Sequence, residues 1–254
     1  MKLPRMRVAP VRATLLPLVT AASAVLLLAS GNIASAAAPS GAIASLDAPA
    51  GQVGVAAPVT VTFAHPVTNR AAAERAIHLT TSTGQSGRVE WLNNQQLQWN
   101  PVGFWPAHSH IEITGAGYKT DVTTGPAVQG VASLSEHTFT VSIDGQVVRV
   151  MPASMGKPSR PTPQGSFTVL DKAETVVMDS RTIGIPLSSP EGYKITAHYA
   201  ERITSGGVYV HSAPWSVDSQ GHTNVSHGCI NLSPDNAAWY YNNVHVGDPV
   251  VVKA

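Results

Sequence analysis

The sequence predicts a mainly β protein of two domains behind an export segment, and three observations carry that prediction. Gly and Pro together number 40 of the 254 residues, while charged residues are only 12%, a composition rich in turns. Runs such as Val59-Thr60-Val61-Thr62-Phe63 alternate apolar and polar residues at the two-residue period of a half-buried strand. Long apolar stripes of helical period are nearly missing. The chain is too long for one small sandwich and suits two compact domains.

The order of the N-terminus is basic, apolar, small. Lys2, Arg5, Arg7 and Arg12 stand without an acid, an apolar run extends from Ala13 to Ala29, and Ala34-Ser35-Ala36-Ala37-Ala38 follows. That order is a secretory signal over residues 1–36, with cleavage expected after Ala36. The alternative is an uncleaved membrane anchor, because the run approaches spanning length. No cysteine follows the run, which excludes a lipid anchor on an N-terminal cysteine. Either way the globular part is expected to be exported to the periplasm or cell wall, attached to the membrane only if the segment stays. Without residues 1–36 the chain keeps 12 basic and 15 acidic residues. That mildly acidic balance has no basic stripe for nucleic acid.

Residues 37–41 read as a linker, and residues 42–124 as a β-sandwich of about 80 residues. After Val59–Phe63, the stretch Arg88–Trp99 places Val89, Trp91, Leu97 and Trp99 around Asn93-Asn94-Gln95-Gln96, a hairpin pattern. His110–Thr114 alternates again and stops at Gly115. His108 and His110 are expected on one strand face and are weighed as a metal pair, but no third ligand is apparent. Trp91, Trp99, Phe104 and Trp105 suit a sandwich core better than sugar stacking. This domain reads as a spacer. Thr123-Thr124-Gly125-Pro126 marks its end.

Residues 128–254 form the second domain. His137–Ile143 and Val147–Met151 flank Asp144-Gly145, a strong hairpin signal. Residues 152–164 are expected as a surface loop, followed by strands at Gly165–Leu170 and Thr175–Asp179. Residues 180–207, broken by Pro186, Pro190 and Gly192, are expected to be irregular, as a lid or binding loop carrying Tyr193 toward substrate. Ser233, Pro234 and Asp235 open the one clear helix, which runs to Val244 before Gly247. Pro249–Val252 closes the chain as a strand.

Chemistry concentrates before that helix. Cys229 is the only cysteine, within Ser226-His227-Gly228-Cys229-Ile230-Asn231. One thiol allows no intramolecular disulfide, and an odd cysteine in an exported chain points to reactivity. A thiol attacks as thiolate and needs a base. His227 is two positions away, and His211 ends the strand Val208–His211; spacing favours neither. Gly228 clears space for a carbonyl to reach backbone N–H donors. Zinc on His211, His222, His227 and Cys229 lacks the paired spacings of structural sites, and no HExxH occurs. No metal or cofactor is expected.

His211, fourteen intervening residues and Ser226-His227-Gly228-Cys229-Ile230-Asn231 together resemble the signature of the L,D-transpeptidase (YkuD) catalytic domain. His211-Ser212-Ala213-Pro214-Trp215-Ser216, Ser154-Met155-Gly156, Thr162-Pro163-Gln164-Gly165 and Met178-Asp179-Ser180 resemble its mycobacterial members. The resemblance implies an immunoglobulin-like β-sandwich before the catalytic domain. It implies Cys229 as nucleophile, and His211 as base and acid oriented by the Ser212 carbonyl. The backbone N–H groups of His227, Gly228 and Cys229 would receive the oxyanion. Tyr193, Gly206, Gly207 and Asn231 would line the substrate site. The implied reaction joins peptidoglycan stem peptides by 3→3 cross-links, and carbapenems are expected to acylate Cys229. An L,D-carboxypeptidase-type hydrolase and a non-catalytic wall-binding protein are the alternatives.

Overall fold

The computed structural model describes residues 42–254, so the expected export segment and linker lie outside the described residues. In the first lobe the chain runs β1 (Ile43–Asp47), β2 (Gln52–Val53), β3 (Val59–Phe63), α1 (Arg70–Ala76), β4 (Thr80–Thr81), β5 (Gly87–Trp91), β6 (Gln96–Pro101), β7 (His110–Gly115) and β8 (Tyr118–Thr124). Two four-stranded sheets result, ordered β1-β3-β6-β5 and β2-β8-β7-β4. The period-two pattern decides which side chains meet: Val59, Val61 and Phe63 point inward from β3 toward Leu97, Ile111 and Ile113. Trp99 and Trp105 stack at 5.5 Å inside, and the Trp105 indole N–H donates to the Ala57 carbonyl at 2.8 Å. Trp91 stacks on Phe63 at 5.4 Å, while Phe104 stays exposed.

One element was missed in this lobe and one expectation fails. Helix α1 was not foreseen, although Asn69 caps it by accepting the Ala72 N–H at 3.0 Å. It is short, and only Ala73 of its residues is buried, so no apolar stripe announces it. His108 and His110 do not share a strand face. His108 lies before β7 at a φ of 52° and pairs with Asp144 at 2.9 Å, whereas His110 pairs with Asp121 at 3.3 Å.

The second lobe continues with β9 (Val128–Ser133), β10 (Thr138–Ile143), β11 (Gln146–Pro152), β12 (Gly165–Thr168), β13 (Asp171–Asp179), β14 (Lys194–Arg202), β15 (Tyr209–Ser212), β16 (Ile230–Leu232), α2 (Pro234–Asn243) and β17 (Pro249–Lys253). Its sheets are ordered β11-β10-β9-β17-β12 and β13-β14-β15-β16. Asp144 and Gly145 both take positive φ, 49° and 80°, as the tight β10–β11 turn requires. Helix α2 begins at Ser233, whose hydroxyl accepts the Asn236 N–H. It drives Ala237 and Tyr240 into a core shared with Phe139, Val210 and Val250. Tyr240 meets Phe139 edge-on at 4.9 Å.

Here too the structure corrects the sequence reading. Residues 180–207 are not irregular throughout: Lys194–Arg202 is a nine-residue strand paired along its length with β13. The breakers Pro186, Pro190 and Gly192 all precede it. The 152–164 stretch is not a plain surface loop either. Residues 153–156 are buried and bridge to the segment holding Cys229, Ser154 to Asn231 and Gly156 to Ser226.

The lobes meet at a seam of backbone bonds. The Gly54 N–H donates to Val246 O at 2.8 Å and the Ala56 N–H to Gly247 O at 2.9 Å. A methyl group at Gly54 would overlap the Gly247–Asp248 backbone, and one at Gly247 would overlap Ala57. Glycine is required on both sides by close approach.

Candidate active site

One parallel pairing assembles the site. β15 pairs with β16 in register Val210 to Ile230, His211 to Asn231 and Ser212 to Leu232. Cys229 immediately precedes β16, so the pairing carries it toward His211 across the sequence between them. Both line a cavity of about 350 Å³, together with Tyr193, Trp215, His227 and Asn231.

His211 is buried, and its Nδ1 lies 2.8 Å from the Ser212 carbonyl oxygen. A carbonyl can only accept, so Nδ1 carries the proton and Nε2 keeps its lone pair. Burial lowers the imidazole to about 4, against a smaller opposing pull from Ser212. Cys229 is partly exposed, with its Sγ 3.9 Å from the Gly207 oxygen. Its packed surroundings push the thiol up to about 11, while the Tyr209 backbone N–H works the other way. Gly207 takes a φ of 87° in this turn beside the thiol. Gly206 belongs to the same turn, and neither glycine is among the residues lining the cavity.

The approach to Cys229 is shaped by Ser226. Its hydroxyl donates to the Cys229 carbonyl at 2.7 Å and accepts the Gly228 N–H at 3.1 Å. Gly228 takes a φ of 120°, so His227 and Cys229 are not successive same-face residues of a strand. The Gly228 N–H expected among the oxyanion donors is therefore committed to Ser226. His227 turns toward Tyr193, ring centres 5.0 Å apart, and its Nε2 is 3.4 Å from Lys157 Nζ. Asn231 donates through Nδ2 to Ser216 Oγ at 3.1 Å, and its buried Oδ1 has no partner.

A frame unseen in the sequence holds this loop. Asn231 and Ser154 exchange backbone bonds at 2.9 and 3.1 Å, and the Ser226 N–H donates to Met155 O at 2.9 Å. Asn224 accepts from the Met155 N–H and from His137 Nδ1, and donates to Leu134 O. Met178, Ile195, Ser216, Ser219 and Val225 also line the cavity. Met178 and Ser216 belong to stretches that carry the resemblance, whereas no local pattern marks Ile195, Ser219 or Val225; the β13–β14 pairing sets Met178 opposite Ile195. No group of three His, Cys, Asp or Glu side chains fit to hold a metal occurs among the described residues. None of the described helices is long and apolar enough to cross a membrane.

A sandwich lobe followed by a two-sheet lobe, whose lone thiol shares a cavity with a buried imidazole, has the parts of an enzyme that works through a cysteine nucleophile. The comparisons agree. Residues 128–252 match the L,D-transpeptidase catalytic domain (YkuD), and residues 35–121 match a bacterial Ig domain. L,D-transpeptidase 1 of Mycobacterium tuberculosis (strain ATCC 25618 / H37Rv) is 60% identical over 200 residues, covering 79% of this chain and 80% of the relative. The solved structure of an L,D-transpeptidase from Mycobacterium smegmatis superposes with a TM-score of 0.78 at 61% identity, over 84% of this chain and 99% of the other. That of the LD transpeptidase LdtMt1 in complex with imipenem gives 0.79 at 57% identity, over 85% and 100%. The chain belongs to the L,D-transpeptidase family.

Proposed function

We propose that this L,D-transpeptidase works in the cell wall and transfers an acyl group of peptidoglycan through Cys229. The observation that carries the reading is the His211–Ser212 hydrogen bond of 2.8 Å. It holds the imidazole in the tautomer whose Nε2 can take a proton, in the cavity that also contains the thiol. The Cys229 proton passes to Nε2 as Sγ attacks the carbonyl of the third residue in a tetrapeptide stem. His211 returns the proton to the departing D-alanine amine, leaving a thioester. The side-chain amine of a second stem's diaminopimelate then attacks. Its proton goes to Nε2, and the thiol is released beside a 3→3 cross-link.

The negative oxygen formed in each half-reaction needs donors beside Cys229. With the Gly228 N–H held by Ser226 Oγ, the backbone N–H groups of His227 and Cys229 take that role. Gly228 then serves by its φ and its missing side chain. Tyr193 and Asn231, which line the cavity, contact the stem, while Gly206 and Gly207 form the turn beside the thiol. Carbapenems acylate the same thiol in this reading, which the imipenem complex of LdtMt1 supports.

The test supplies a tetrapeptide donor and follows the intact protein by mass spectrometry. A thioester on Cys229, release of D-alanine and a cross-linked dimer on adding an acceptor stem are expected. Cys229→Ala should form none of them. Dimer formed by Cys229→Ala would remove the central assignment.

A further inference from the structure

The reaction above uses the backbone of His227 and leaves its imidazole without a task, although the residue lines the cavity. Neighbours from two other segments converge on that ring. Tyr193 packs against it with ring centres 5.0 Å apart, and Lys157 Nζ stands 3.4 Å from its Nε2. The same ammonium pairs with Glu191, two residues before Tyr193. Lys157 thus ties the catalytic loop to the segment between β13 and β14.

Both ends of that tie are fixed by backbone bonds. The Lys157 N–H donates to Ser226 O at 3.0 Å, beside His227, and the Lys157 carbonyl accepts the Arg160 N–H at 2.8 Å. The segment carrying Glu191 and Tyr193 is closed at its base. There the Ser180 N–H donates to Tyr193 O at 2.9 Å, and the Tyr193 N–H donates to Ser180 Oγ at 3.0 Å.

An ammonium has donors and no acceptor, so an imidazole nitrogen beside it must present a lone pair. Nε2 of His227 is then bare, and the neutral ring carries its proton on Nδ1. The ring is held below its ordinary range accordingly. Burial lowers it first and Lys157 next, Glu191 opposes them, and Arg160 adds a smaller downward pull. Nδ1 has no acceptor among the described residues and is not sealed in the interior. The two histidines of the cavity therefore offer opposite chemistry. A carbonyl beside Nδ1 leaves His211 a lone pair on Nε2, whereas an ammonium beside Nε2 leaves His227 a donor on Nδ1.

We propose that Lys157 is a positioning residue: it fixes His227 as the Nδ1–H tautomer, so that the ring donates to an acceptor oxygen of the bound stem. The substrate in this assignment rests on the transpeptidase reading above; the tautomer does not.

Nitrogen-15 NMR of the full chain with labelled imidazoles reads the tautomer, His227 being assigned by the signals lost in His227→Gln. Near neutral pH, wild type and Lys157→Arg should carry the His227 proton on Nδ1, and Lys157→Met should move it largely to Nε2. On a tetrapeptide donor at neutral pH, Lys157→Met should lower kcat/KM roughly 5- to 10-fold, the size of one oriented hydrogen bond. Lys157→Arg, which still has donors only, should stay close to wild type. Both nitrogens of an imidazolium are donors. The Lys157→Met defect should therefore shrink as pH falls through the titration of His227, which loss of the ammonium raises. A wild-type His227 protonated on Nε2, or a Lys157→Met defect that stays constant with pH, would overturn the role of Lys157. If wild type forms no thioester with any donor, the transpeptidase reading falls, and the NMR tautomer still decides whether Lys157 sets the ring.

Discussion

Titrating the resting enzyme tests whether its thiol and imidazole sit together as neutral groups. Burial holds His211 down at about 4 and Cys229 up at about 11, so neither is charged near neutrality. Cysteine ordinarily ionises at 9.0, and the upward displacement leaves roughly 100-fold less thiolate at neutral pH. A thiolate of higher pKa is intrinsically the better nucleophile, which returns about 8-fold of that loss. Iodoacetamide should therefore alkylate Cys229 about tenfold more slowly than a free cysteine at neutral pH. The rate should keep rising about tenfold per pH unit to beyond roughly pH 9, and the ultraviolet absorbance of the thiolate should show no step below that point. The acid limb of kcat/KM should fall near pH 4, where His211 takes a proton. An absorbance step or an alkylation plateau centred below about pH 6 would mean a preformed thiolate–imidazolium pair, as in low-pKa cysteines, and would refute the neutral pair.

Four further outcomes follow from buried groups and from the seam. Because His211 ionises at about 4 when folded and 6.5 ordinarily, the unfolded chain gains the proton first. Stability should be lost as pH falls through that window, about 3 kcal/mol from this residue, and His211→Gln should flatten that part of a urea-midpoint profile. Lys172 donates to the Tyr241 and Val244 carbonyls at 2.5 and 2.6 Å, at the end of α2. Lys172→Met should cost about 2 kcal/mol in chemical unfolding. Glu201, fully buried with neither carboxyl oxygen hydrogen-bonded, is pushed well up by burial against the opposing pull of Lys172, so Glu201→Gln, which keeps the shape and removes the charge, should cost under about 1 kcal/mol. Gly54→Ala should force the 54–57 and 245–248 backbones apart at about 1–3 kcal/mol, read as a lower melting temperature and faster proteolysis between the lobes.

The sequence made the strands legible where side-chain alternation and turn chemistry agree. Val59–Phe63, the Asp144-Gly145 hairpin and the Ser233–Asp235 helix start are all local signals, and each element is present. Lys194–Arg202 was hidden because its neighbours are breakers, while its own order is set by β13, with which it pairs from Lys194 to Arg202. Residues 153–156 were misread because their Pro, Ser and Gly surroundings imply exposure. They are buried for a nonlocal reason: Ser154 and Gly156 supply backbone partners to Asn231 and Ser226. The same limit applies at the site. The motif marks Cys229, His227 and Asn231, but the choice of His211 as base rested on resemblance. The parallel β15–β16 register, which no spacing reveals, is what places His211 in the cavity with Cys229.

The neutral pair and the loop geometry belong to one design. A thiol with no second cysteine has no disulfide to protect it, and oxidation follows thiolate character and exposure. Holding Cys229 near 11 keeps the reactive form scarce between turnovers. That protection has a consequence for catalysis: attack must be accompanied by proton transfer, because no stored thiolate exists to draw on. Nε2 of His211 must then be deprotonated and correctly turned at the moment of attack, and the Ser212 carbonyl secures the turning. Charge appears on the substrate oxygen and the imidazole only after the bond begins to form. The stabilising groups must therefore be fixed in advance, which is the role of the rigid lacing of Ser226 to Met155, Gly228 and Cys229. Loosening that lacing, as Ser226→Ala would by freeing the Gly228 N–H, should lower kcat more than it raises KM.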